Sequence, residues 1–110
     1  MANDSFTQQA LARDPRFQLR LAEALSKVAW QVIGESPATQ NHTERKAFAR
    51  QVISNPSGFA STFAPWFVTR TNVFAFITTY DFQQGAVVTA SGDADIESQL
   101  STDWNVLAGL

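Results

Sequence analysis

Cysteine is absent from this chain of 110 residues, and histidine and methionine occur once each. The lack of thiols excludes disulfide frameworks, cysteine-ligand zinc sites and thiol nucleophiles together. The single imidazole, His42, has no cysteine partner for a zinc site of the usual kind, and no serine lies in the nucleophile-elbow motif that a Ser-His-acid hydrolase needs. His42 therefore reads as a surface neighbour of a helix start. Gly34, Gly58, Gly85, Gly92 and Gly109 lie too far apart for a phosphate-cradling loop. No apolar run approaches membrane-spanning length, and residues 1–30 lack a basic region followed by an apolar one. These absences predict a chain that neither spans a membrane nor is conventionally exported, so Asn3-Asp4-Ser5 and Asn41-His42-Thr43 read as chance glycosylation triplets. No cofactor or metal is expected, and the reading is non-enzymatic.

Charge is also scarce, at 16% of residues against about 25% in an average domain. What is abundant is apolar: 45% of residues are hydrophobic, with nine Phe, three Trp and one Tyr. That suffices for one self-contained core, so residues 1–110 are read as a single domain. The net charge of −2 is unevenly spread. Residues 1–55 hold seven cations against five anions, whereas residues 56–110 hold Arg70 against five acids. Two halves of opposite sign neutralise each other inside one molecule or orient it against a neighbouring copy.

Helix punctuation dominates the first half. Ser5 can cap a short helix in which Phe6, Ala10 and Leu11 share a face, and Asp14-Pro15 ends it while starting the next. Phe17, Leu21, Leu25, Val28 and Val32, joined by Ala24 and Ala29, then form an apolar stripe of about five turns. Gly34 stands where a left-handed C-terminal residue is expected. Asn41 and Glu44 predict a capping box for a third helix that buries Phe48, Ala49, Val52 and Ile53 and carries Arg45, Lys46 and Arg50 on its other side. Asn55-Pro56 closes that helix and opens a fourth, whose Phe59, Phe63, Trp66 and Phe67 make an aromatic face. Pro65 either ends this fourth helix near Ala64 or kinks it on the way to Arg70.

Residues 73–90 change character. Val73 to Tyr80 and Ala86 to Thr89 are rich in β-branched and aromatic types around a five-residue turn, Asp81 to Gly85, which predicts one β-hairpin. Such a hairpin is marginal alone and must lie on the helices or pair with another chain. Asp93 caps a last helix with Asp95 and Glu97 in its first turn and Ile96, Leu100, Trp104 and Leu107 inward. The cap explains both aspartates without a metal. The fold class expected is mainly α, four to five helices in a small bundle with one β-hairpin insertion at about residues 73–90.

The cations Arg13, Arg16, Arg20, Arg45, Lys46 and Arg50 can meet phosphates, but a pI near 5.1 favours a solvated face or an inter-subunit salt-bridge surface. Trp30, opposite its helix's main stripe, is the candidate interface anchor. The run Asn41 to Arg45, continuing Ala47 to Pro56, together with Asp93-Ala94-Asp95-Ile96 and Trp104-Asn105, resembles small proteins encoded beside the capsid genes of tailed bacteriophages. The likeness covers roughly residues 20–72 and 92–109; Val73 to Ala90 and Pro65 depart from it.

That resemblance implies a virion structural protein assembled in the host cytoplasm, most specifically a head-tail connector subunit. Such subunits form a homo-oligomeric ring and meet portal and tail or neck components, with DNA passing nearby. Docking would use the hairpin and the C-terminal segment. The interface residues expected are Trp30, Arg45, Arg50, Arg70, Phe76, Tyr80, Phe82 and Trp104. The alternatives are a capsid decoration or other virion protein, or a small soluble binding or regulatory module.

Overall fold

The computed structural model describes residues 5–69, 80–81, 86–87 and 91–110, with side chains over 9–69 and 96–110. It is mainly helical. Among the described residues the helices are α1 (Ser5–Arg13), α2 (Pro15–Ile33), α3 (His42–Ser54), α4 (Pro56–Phe67), α5 (Ser91–Thr102) and α6 (Trp104–Leu107).

The longest helix organises the rest. The α2 start is fixed by Asp14, whose carboxylate accepts from the backbone N–H of Arg16 at 2.8 Å and of Phe17 at 3.3 Å, while Pro15 occupies the first helical position. Phe17, Leu21, Ala22, Ala24, Leu25, Val28, Ala29 and Val32 are all buried along it. Each large aliphatic member of that stripe contributes about 1.5–3 kcal/mol through removal from water. Against this stripe pack α1, α3, α4 and α5, bringing in Leu11, Ala49, Val52, Ala60, Ala64, Phe67, Ile96 and Leu100. Phe17 and Phe67 meet with ring centres 6.2 Å apart.

Local punctuation departs from expectation at several points. Gly34 is right-handed (φ −79°, ψ −2°), and its N–H donates to the carbonyls of Trp30 and Gln31. The chain leaves α2 through tight turns, Glu35 N–H bonding Val32 O at 3.0 Å, so no left-handed residue is needed there. Asn41 instead takes the left-handed conformation (φ 60°) and makes no side-chain cap bond. The expected capping box is thus not formed, because the backbone turn that asparagine tolerates has displaced the extended geometry of a cap. Ala10 is exposed, and α1 buries Leu11 and Ala12. The last helical stretch begins at Ser91, two residues before Asp93, and is divided at Asp103 (φ −97°, ψ 11°) into α5 and α6.

The Asn55-Pro56 junction behaves as expected. Asn55 Oδ1 accepts from Gly58 N–H at 3.2 Å, and a Cβ at Gly58 would lie 2.8 Å from Asn55 Cγ, so the cap depends on glycine there. Pro65 sits inside α4, which continues to Phe67. Its ring is on the exposed side, and the hydrogen bond it removes is the one to the carbonyl of exposed Ser61, which water can satisfy.

The hairpin expected over residues 73–90 is described only at β1 (Tyr80–Asp81) and β2 (Ala86–Val87), which pair antiparallel with Tyr80 opposite Val87 and Asp81 opposite Ala86. Asp81, read as a turn residue, is therefore paired. The rest of that stretch lies outside the described residues.

Candidate functional site

Among the described residues, two neighbourhoods concentrate the side chains that carry interaction chemistry. The first is a polar knot where α3 begins. Arg45 forks onto Glu35, its Nη2 2.6 Å from Oε1 and its Nε 2.9 Å from Oε2. The same guanidinium donates to Asn105 Oδ1 on α6. Lys46 Nζ donates to Glu35 O at 2.7 Å, and Trp104 Nε1 donates to Arg45 O at 3.3 Å. The pair is shielded, with Arg45 12% and Glu35 27% exposed. A two-pronged geometry of this kind suits a planar guanidinium and a carboxylate. It ties the α2–α3 connector and α6 to α3.

Arg45 and Lys46, expected on a solvated or docking face, are thus held within the molecule, because Glu35 in the preceding connector bonds both and Asn105 on α6 bonds Arg45. Trp104, expected at an interface, is wholly buried. Its ring packs on Phe48 at 5.1 Å, and its N–H has the Arg45 carbonyl, so both its apolar body and its polar handle are satisfied.

The second neighbourhood is an apolar groove along the outer side of α4. Phe48 of α3 packs behind its aromatic residues, with Phe59 and Phe63 at 5.5 and 6.2 Å and edge-on to it. Phe59 and Phe63, four residues apart on α4, lie 5.8 Å from each other. One end is a depression of about 300 Å³ lined by Asn55, Gly58, Phe59, Thr62 and Phe63. The other, of about 250 Å³, is lined by Phe63, Trp66, Val106 and Leu107 and lies between α4 and α6. Phe63 is common to both. From Gln51 to Thr69 the sequence has nineteen consecutive residues without a charge. Among the described residues the groove therefore offers aromatic and aliphatic contact and no charged side chain. Its α6 wall was not foreseen, since Val106 reads as outside the buried stripe and is 56% exposed; the uncharged run was the signal available.

Of the remaining expected site residues, Trp30 is 61% exposed and Arg50 is exposed. Arg70, Phe76 and Phe82 lie outside the described residues, and Tyr80 is described only as backbone in β1. His42 is half-buried, with Nε2 3.4 Å from Thr43 Oγ1. Among the described residues no group of three or more His, Asp or Glu side chains is placed to hold a metal ion, and no helix is long and apolar enough to cross a membrane.

A small charged cleft of about 150 Å³ lies where α2 meets α5, lined by Arg20, Glu23, Ala24, Lys27 and Glu97. Lys27 Nζ is 3.4 Å from Glu97 Oε2 there. Comparison with known protein families, with curated proteins and with solved structures yields no match to this chain.

Proposed function

We propose that this chain is a non-enzymatic structural subunit of a tailed-bacteriophage virion, most specifically a head-tail connector subunit that assembles into a ring at the portal-tail junction. The observation that carries the reading is the uncharged aromatic groove between α4 and α6. An apolar surface of this form, with Phe59, Phe63 and Trp66 only half-buried, fits a protein partner, because aromatic anchors in a shallow depression are what protein interfaces are built around. The partner is the flank of the neighbouring subunit in the ring, a heterologous contact. Exposed Arg50 remains available for an acidic neighbour, and the stretch 73–90 acts as a hairpin arm. The phage setting comes from the sequence resemblance.

The test is mass measurement of the purified full chain over a range of concentrations, alone and with portal rings. A connector subunit gives higher oligomers or a stable portal complex, and Trp66→Glu abolishes them while leaving the helical circular dichroism intact. A chain that stays monomeric or dimeric and ignores portal rings defeats the reading.

A further inference from the structure

The outer face of α2 carries a pattern that neither the core nor the groove uses. Leu19 and Trp30 are 57% and 61% exposed, and they lie eleven residues apart on one helix. Eleven residues make three turns plus about 20°, so the two side chains stand on one line about 17 Å apart. Glu23 and Lys27 are exposed between them on the same face. The midpoint of Leu19 and Trp30 falls between Ala24 and Leu25, and that of Glu23 and Lys27 falls on Leu25. The two centres coincide to within about 1 Å along the helix. The face is thus symmetric in its apolar ends and antisymmetric in its charges.

A surface built this way is complementary to itself when turned end for end. We propose that the outer face of α2 is a two-fold dimer interface, in which two copies of this chain pair α2 against α2 in antiparallel fashion. Leu19 of one copy packs on Trp30 of the other, and Glu23 of one meets Lys27 of the other, each contact occurring twice as an isologous interface requires. No like charges of the two α2 helices are opposed in this register. Arg16 falls opposite the Ile33–Gly34 end of the second helix, where the helix dipole favours a cation, and Arg20 falls opposite Ala29 and Trp30. A parallel arrangement would set Glu23 on Glu23 and Lys27 on Lys27, which repel.

Lys27 keeps its contact with Glu97, since the side chain is 64% exposed and an ammonium has three donors. The contact shares no residue with the α4–α6 groove, so it goes beyond the ring assembly proposed above and does not rest on it.

Two helices touching over about four turns bury a modest area, which sets an expected dissociation constant in the range of about 1–100 μM. Sedimentation analysis of the full chain from micromolar to millimolar concentration reads it directly. Trp30→Ala should weaken dimerisation at least about tenfold with the fold unchanged, and Phe63→Glu should leave the α2 dimer intact. Glu23→Lys and Lys27→Glu should each give monomers, because each sets like charges against each other twice. Mixed in equal amounts, these two variants should dimerise again, since opposite charges then meet at both positions. A chain that is monomeric at 1 mM, a dimer indifferent to Trp30→Ala, or charge variants that mixing fails to rescue would overturn the proposal. Loss of the dimer on Phe63→Glu with the helical circular dichroism intact would do the same.

Discussion

Trp104 and Trp30 occupy opposite extremes of one small molecule. Around Trp104 every bonding capacity is used: the ring lies against Phe48, the indole N–H has the Arg45 carbonyl, and the Arg45 side chain is held by Glu35 and Asn105. Around Trp30 the helix surface is open, and its large apolar neighbour on that line, Leu19, is as exposed as Trp30. The first region is where removal of an atom is felt by the whole fold. The second is where removal leaves the fold as it was and, in the proposed dimer, is felt by the partner. An aromatic side chain thus becomes structural or adhesive according to whether distant parts of the chain come to cover it.

Substitutions sharpen this contrast. Trp104→Ala should cost about 3–5 kcal/mol of folding stability, because it empties a fully enclosed site and strands the aromatic cluster on α3 and α4; chemical denaturation reads the loss. Arg45→Ala comes next, at about 1–3 kcal/mol, between the values for exposed and for buried ion pairs. Glu35→Gln should recover part of that by keeping one acceptor for the guanidinium, so a double-variant cycle with Arg45 should show coupling. Asp14→Ala should lower stability by about 1 kcal/mol through loss of the α2 cap.

Trp30→Ala should change monomer stability by less than about 0.5 kcal/mol, measured at a concentration where the chain is monomeric. A large loss there would place Trp30 in the structural class and erase the contrast.

The features legible in the sequence are those whose cause is local. Asp14-Pro15 and Asn55-Pro56 each combine a side-chain acceptor with a residue that lacks the unneeded N–H, and both cap as expected. The stripe from Phe17 to Val32 is a matter of helical period alone, and it is buried throughout. Arg45 is legible only in part. It stands four and seven residues before Ala49 and Val52, on their own face of α3, so its shielding follows from the helical period, whereas its partners, Glu35 in the connector and Asn105 sixty residues away, do not. The groove was half legible: α4 supplied its aromatic residues in plain view, but Val106 and Leu107 become a wall only once α6 has docked. At Asn41 a correct local signal was overridden, since the path from Glu35 demands a left-handed turn where a cap stood ready.

The polar knot also orders events in time. Trp104 and Arg45 are separated by 59 positions, so the contact that seals α3 closes only after the last helix has been made. Until α5 and α6 are in place, Phe48 lacks its edge-on contact with Trp104 and the edge of α2 that receives Ile96 and Leu100 stays bare. A chain that stops short of Trp104 would leave that surface unsealed.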